Sequence, residues 1–531
     1  MKRRDFLKTA GLSGLGMWGA RVWPTIPEAH MQRTRLSVFP DEHLGRISRN
    51  VYGQFTEHLG GCIYDAMWVG PDSRIPNING LRKDTIQALK DIHTPVIRWP
   101  GGCFADIYHW RDGVGPRDKR PKRWNRWWGI GESNAFGTDE FLEYCRLCGA
   151  QPYLCLDVGS GTVREAAEWM EYCNGKRPTE MTELRAANGH TEPYSVRYWG
   201  VGNEVSGCGG KYDAEDYARQ YAHYVNFLSS LGQDDPVEFV ASGDTHGDWN
   251  QKLFEALSKL PGARISDVQN LSIHHYFQRG SGVKFTEADY YGVLADVSTL
   301  ESFIQKAISL IDHHTHGGQR IGIALDEWGI WHPGGQTGPT ALRQSNTLRD
   351  AVLAAVVLNS LNQFGAAIAM ANIAQTFNVL QSMAFTGGPA LVLTPTYYTF
   401  DLYQPHMDAM GLKVEIDGPA FKSEVQGVGV MRKYLSASAS LKESEQKVCL
   451  TLVNQHLTDP LEVEIELHGT GSGGIRGAVL RELTSPSVHD ENTVDKPTVI
   501  TRPVEKGVSV KTARFVHVIP AHTVQALRLE L

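Results

Sequence analysis

Eight short apolar runs, each followed by a longer stretch with apolar residues at three- and four-residue spacing, constrain this chain more than any other feature. The runs cover 51–55, 95–99, 152–158, 195–201, 237–242, 271–277, 320–327 and 367–374. Helical patterns lie among them at 83–91, 138–147, 164–172, 214–231, 293–312 and 341–362. A strand that must cross back over a helix to reach the next strand runs parallel to it, and eight such units close into an α/β fold of the (β/α)8 TIM-barrel type. Functional side chains of such a barrel gather at the C-terminal ends of its strands.

After residue 395 the pattern changes. One helix-like piece at 397–410 gives way to alternating runs at 425–430, 447–454, 461–467, 478–483, 508–515 and 523–529, separated by Gly, Ser and Pro. Period-two alternation between turn residues predicts a C-terminal antiparallel β-sandwich, jelly-roll-like, which the segment 35–39 would join from the N-terminal side. The expected organisation is a signal segment at 1–30, a joining strand at 31–45, a (β/α)8 barrel at 46–395 and the sandwich at 396–531, its first part a helix packing on the barrel. A barrel of about 250 residues or more and one smaller domain account for the 531 residues.

Charge narrows the partners. Lys and Arg total 52 against 59 Asp and Glu, a formal charge of −7, and the basic residues form no long run outside 117–126. That leaves nucleic acid little to grip. The N-terminus, Met-Lys-Arg-Arg-Asp-Phe-Leu-Lys followed by a modest apolar stretch at 9–20, resembles a twin-arginine export signal through Arg3, Arg4, Phe6 and Leu7. It implies a periplasmic or extracellular protein, with no membrane contact after signal removal. No later run reaches the roughly 20 apolar residues of a membrane span.

The eight cysteines, Cys62, Cys103, Cys145, Cys148, Cys155, Cys173, Cys208 and Cys449, lack small-scaffold spacing, and Cys145-x-x-Cys148 sits in a helical pattern with no second such pair. Buried thiols are the expectation. The pair His274-His275 lies on a strand, where neighbours face opposite sides, and His313-His314-x-His316 ends a helix, so neither predicts a metal site.

Two runs end in carboxylates: Tyr-Trp-Gly-Val-Gly-Asn-Glu at Glu204 and Ile-Ala-Leu-Asp-Glu-Trp-Gly with Glu327, on the fourth and seventh strands. Paired carboxylates at a barrel mouth are the minimum equipment for cleaving a glycosidic bond. Two buried structural glutamates without partners would be costly.

Phe55-Thr56-Glu57-His58-Leu59-Gly60, Arg98-Trp99-Pro100-Gly101-Gly102, Asp112-Gly113-Val114-Gly115-Pro116, Gly202-Asn203-Glu204, Asp326-Glu327-Trp328 and Asn372-Ile373-Ala374-Gln375 occur in that order over nearly all of the chain after the signal. Together they resemble the α-L-arabinofuranosidases of glycoside hydrolase family 51. The resemblance implies Glu204 as general acid/base, its pKa raised by its surroundings, and Glu327 as nucleophile in a retaining double displacement, with carboxyl groups about 5 to 5.5 Å apart. It implies that Glu57 accepts from sugar hydroxyls, Asn203 holds the 2-hydroxyl, Tyr276 bonds the nucleophile or the ring oxygen, Gln375 touches the glycone and Arg98 orients the nucleophile. Trp128 would wall the glycone, with Trp124 and Trp127 as rivals. Cys103 stands where many members have Asn; a thiol hydrogen-bonds weakly, so sugar contact there should be looser. The resemblance further implies an exo-acting enzyme trimming arabinose from arabinoxylan, arabinan or their oligosaccharides, without metal or organic cofactor, in a homo-oligomer, often a hexamer. An endo-β-1,4-glucanase or β-xylosidase with an open cleft is the alternative, although 111–134, rich in Trp and Arg, reads as a pocket wall. A non-catalytic carbohydrate-binding barrel is a third reading.

Overall fold

The computed structural model describes residues 33–531 apart from 233–234, 263, 317, 319, 334–336 and 470–473; the expected signal at 1–30 lies outside the described residues. Strands Gly53–Phe55, Val96–Trp99, Gln151–Leu156, Tyr198–Val201, Glu238–Ala241, Asn270–Phe277, Gly322–Ile330 and Ile368–Ala374 pair in chain order, and the last closes on the first. Every pairing is parallel. With helices covering the outside and side chains filling the inside, these strands are buried on both faces; Gly322–Ile330 is buried throughout.

Alternation sorts the strand residues into layers. Val96, Tyr153, Tyr198, Val240, Ala324 and Met370, from six strands, form an apolar cluster of their own that plugs the barrel. Two residues further along three of those strands lie Arg98, Asp326 and Asn372, all buried and polar. The polar floor of the site is therefore the layer directly above an apolar plug.

Several predicted boundaries move for identifiable reasons. The seventh strand continues to Ile330, three residues past Glu327. The helix expected at 341–362 is Leu348–Gln363, because Thr347 and Asp350 form a capping box that sets its start. The pattern at 293–312 is two helices, Glu287–Ala295 and Val297–Thr315, the first opened by the Thr286 and Asp289 box. The 397–410 piece resolves into Pro395–Tyr403, a short turn at Gln404–His406 and a strand from Met410.

The C-terminal part is one nine-stranded ladder, in the order Lys506–Gly507, Gly477–Leu483, Thr523–Glu530, Lys447–Asn454, Leu435–Lys442, Met410–Asp417, Thr34–Arg46, Leu461–Leu467 and Arg514–Ile519. It is antiparallel except where Thr34–Arg46 pairs with Leu461–Leu467. Leu36, Val38, Leu450, Leu452, Val463, Ile465, Leu527 and Leu529 meet in one buried cluster, so the ladder curls over its own apolar face as a sandwich. The predicted strand at 425–430 instead straddles the turn between Ala420–Val425 and Val428–Lys433, where Gln426 and Gly427 take positive φ. The run at 508–515 ends up mostly ahead of its strand, Arg514–Ile519.

Candidate active site

Arg98 is the centre of the polar layer. Its Nη1 donates to Glu327 Oε1 at 2.8 Å, its Nη2 donates to Asn203 Oδ1 at 2.6 Å, and its Nε lies 4.0 Å from Asp326 Oδ2. Consecutive strand residues normally face opposite sides, yet Asp326 and Glu327 both reach this guanidinium. The register explains it: Ile273 pairs with Leu325 and the next residue, His274, pairs with Glu327, so Asp326 is the extra residue of a bulge. Tyr153 OH and Asn372 Nδ2 hold Asp326 at 2.8 and 3.3 Å. Tyr276 OH donates to Glu327 Oε2 at 2.7 Å, so each oxygen of Glu327 has its own donor. Burial and the neighbouring Glu327 push the Tyr276 hydroxyl well above its ordinary pKa and keep it a donor.

Glu204 lies beyond the end of the fourth strand, with φ at +39°, a left-handed backbone rare for Glu. Gly207 N and Gly209 N donate to its carbonyl at 2.7 and 3.1 Å and close a tight turn. Its side chain is 42 % exposed against 7 % for Glu327, so the predicted acid faces the pocket mouth and the predicted nucleophile the floor.

Glu57 Oε1 accepts from Phe104 N and Trp128 Nε1, both at 3.0 Å, and Oε2 from Gln375 Nε2 at 3.2 Å. The Gly101-Gly102 pair lets the second strand's loop pass this close: a Cβ on Gly101 would meet Glu57 Cγ at 2.6 Å, and one on Gly102 would meet Glu327 Oε1 at 3.1 Å. Asn125 braces the aromatic wall, donating from Nδ2 to the His58 carbonyl at 2.7 Å and accepting Trp128 N at 3.2 Å. Of the three candidate tryptophans, Trp128 is therefore the one at the site; Trp124 is largely exposed and Trp127 is stacked under Arg126.

The charges differ from expectation at one group. Burial pushes Glu204 upward, but the hydrogen bond and charge of His274, with Arg98, outweigh it and hold Glu204 below the ordinary carboxylate value rather than above it. Burial lowers His274, but Glu327 and Glu204 outweigh that and raise it. Burial, then the charge of Glu327, pushes Glu57 up to about 7.

One further residue belongs to the site against expectation, and one expected there has a different chemistry. His274, expected to be structural, places Nδ1 3.1 Å from Glu204 Oε1 and 3.8 Å from Glu327 Oε1. Its neighbour His275 faces away, 3.8 Å from Asp296. Cys103, expected as a weak thiol contact to the sugar, is instead disulfide-bonded to Cys208. The remaining described site wall includes Trp331, edge-on to Tyr276 at 5.2 Å, whose position just past the seventh strand was the available signal. Donor atoms of Glu204, His274 and Glu327 lie within 4.8 Å of one another, a spacing a cation could use. The Arg98 guanidinium and the Tyr276 hydroxyl already occupy both Glu327 oxygens, and the positive guanidinium opposes a metal there.

Comparison with known proteins identifies the family. Family models described as "Alpha-L-arabinofuranosidase 1 domain" and "Alpha-L-arabinofuranosidase C-terminal domain" match residues 88–314 and 326–523. The chain is 37 % identical over 505 residues to the intracellular exo-α-L-arabinofuranosidase of Bacteroides ovatus, covering 93 % of this chain and 95 % of that protein. Among solved structures, the GH51 arabinofuranosidase from Xanthomonas axonopodis pv. citri matches with a TM-score of 0.86 at 34 % identity. The α-L-arabinofuranosidase from Thermotoga maritima, solved as an arabinose complex, matches with 0.84 at 33 %. Each match covers 94 % of this chain and 100 % of the other. This glycoside hydrolase belongs to the α-L-arabinofuranosidases of family 51.

Proposed function

We propose that the enzyme is exo-acting and retaining, and that it releases terminal arabinofuranose from arabinoxylan, arabinan or their oligosaccharides by double displacement. The observation that carries this reading is the carboxyl spacing: an oxygen of Glu204 and one of Glu327 lie within 4.8 Å. Retaining glycosidases hold their carboxyls about 5 to 5.5 Å apart, whereas inverting ones need about 6.5 to 9.5 Å to admit a water.

Glu327, its oxygens fixed by Arg98 and Tyr276, attacks the anomeric carbon while Glu204 protonates the departing oxygen. The resulting glycosyl-enzyme is hydrolysed by a water whose proton returns to Glu204. His274, with Nδ1 3.1 Å from Glu204 Oε1, is the imidazole beside the acid/base and holds its carboxyl below the ordinary value. Asn203, held by Arg98, is placed for the 2-hydroxyl, while Glu57, Gln375 and Trp128 close the pocket behind the sugar.

Proton NMR of the first-formed sugar from 4-nitrophenyl α-L-arabinofuranoside tests the reading. The α-anomer is expected first, and Glu327→Gln should lose several orders of magnitude in kcat. An initial β-product refutes retention, and preferential cleavage of β-xyloside or β-glucan moves the enzyme to the alternative specificity. Export is proposed on Arg3, Arg4, Phe6 and Leu7; Arg3→Lys with Arg4→Lys should leave the enzyme in the cytoplasmic fraction.

A further inference from the structure

Six cysteines are buried free thiols: Cys62, Cys145, Cys148, Cys155, Cys173 and Cys449. The other two, Cys103 and Cys208, are only half-buried and are joined across 105 residues of sequence. Their bond spans the two loops that carry the chemistry. Cys103 follows Gly101-Gly102, which press against Glu57 and Glu327. Cys208 lies in the turn closed by the Glu204 carbonyl, and its Sγ is 3.5 Å from Glu204 Oε2 and 3.8 Å from Asn203 Nδ2.

We propose that the Cys103–Cys208 disulfide is a redox-sensitive positioning device for Glu204, opened by a small dithiol that enters through the sugar pocket. In the opening step the two thiols of the reductant are oxidised to its own disulfide. Their two electrons break the S–S bond, and each cysteine sulfur takes a proton. The consequence is local. A disulfide sulfur has no hydrogen to give, whereas the freed Cys208 thiol donates to Glu204 Oε2 and so favours the ionised carboxylate. The turn carrying Glu204 also loses its covalent tie to the opposite wall. Both effects weaken Glu204 as a proton donor and leave Glu327, held by Arg98 and Tyr276, in place.

The proposal rests on Glu204 as acid/base, and its test uses that. The full chain is treated with dithiothreitol, reduction is confirmed by mass after alkylation at Cys103 and Cys208, and kcat/KM is measured on aryl α-L-arabinofuranosides of graded leaving-group acidity. Reduction should cost about 10- to 100-fold on poor leaving groups and little on 2,4-dinitrophenol, which departs without a proton. It should also move the alkaline limb of the pH profile. Saturating L-arabinose should slow the reduction. Cys103→Ala/Cys208→Ala should behave like the reduced enzyme and ignore dithiothreitol. An equal loss for every leaving group, or full reduction with no change in the profile, overturns the proposal. Glu204→Ala without leaving-group dependence would instead overturn the assignment of Glu204 itself.

Discussion

Arg98 is the single side chain on which the polar layer depends, and Arg98→Met tests that dependence. The substitution keeps most of the stem but removes the donors to Glu327 and Asn203 and the cation beside Asp326, all in a site where Arg98 is 1 % exposed. Breaking a buried ion pair from one side costs about 3 to 5 kcal/mol, because the partner charge stays buried and unpaired. The unfolding free energy should fall by about that amount in urea titrations. The activity loss adds two terms: a charge-assisted hydrogen bond to Glu327, about 1.5 to 3 kcal/mol, and an orphaned Asn203 oxygen, about 1 to 3 kcal/mol. Taken together they predict a fall of roughly 10² to 10⁴ in kcat/KM on 4-nitrophenyl α-L-arabinofuranoside, at about 1.4 kcal/mol per factor of ten. Arg98→Lys keeps the charge but cannot fork to two acceptors, so it should lie between wild type and Met. Adding Asp326→Asn to Arg98→Met removes one stranded carboxylate and should recover stability without recovering activity. A Met variant within about 1 kcal/mol of wild type, or a double variant no more stable than the single, refutes the account of Arg98 as the charge balance of the floor.

Three further predictions concern groups around that floor and at the sheet. Burial and Glu327 raise Glu57 from 4.5 to about 7, so the folded chain keeps a proton that the unfolded chain gives up; this stability is present below pH 4.5 and lost as pH rises through 7, about 3 kcal/mol in all. Glu57→Gln should flatten that fall in urea titrations at pH 5 and pH 8. Burial lowers His406, held by Ser440 and Thr451, from 6.5 to about 3, so the unfolded chain takes up a proton that the folded chain refuses; at pH 4.5 this costs about 3 kcal/mol, which His406→Gln should restore in the same assay. Trp128→Phe keeps the apolar wall and removes the 3.0 Å bond to Glu57, so KM for the aryl arabinofuranoside should rise about fivefold with kcat nearly unchanged, as for a contact made equally in ground and transition states.

The sequence made legible what depends on period and order. Eight apolar runs with helices between them specified the barrel, and Glu204, Glu327, Arg98 and Gln375, read through their motifs, meet in one site with Tyr276, which the family resemblance implied. Trp128 could not be chosen over Trp124 and Trp127 from spacing, because the choice is made by Asn125, which ties its loop to the His58 carbonyl. The Cys103 and Cys208 pair was illegible for a different reason. Its two members sit on loops after the second and fourth strands, so only the pairing of both strands with the third brings them to a Cα separation of 5.6 Å.

The seventh strand shows where periodicity itself misleads. Strict alternation puts His274 on the same face as Tyr276 and His275 on the other, as observed, but it sends Asp326 and Glu327 to opposite faces. The bulge at Asp326 breaks that rule on the seventh strand. It slides the strand by one residue against its neighbour, brings Glu327 opposite His274, and turns both acidic side chains toward Arg98. A regular strand with the same residues would bury one carboxylate away from the guanidinium, at the cost of an unpaired charge. The irregularity is therefore what lets two adjacent acids share one cation, and it is also what sets the nucleophile within reach of both Tyr276 and His274. Sites of this kind are where a reading based on period alone should be expected to fail, because the chemistry requires the period to break.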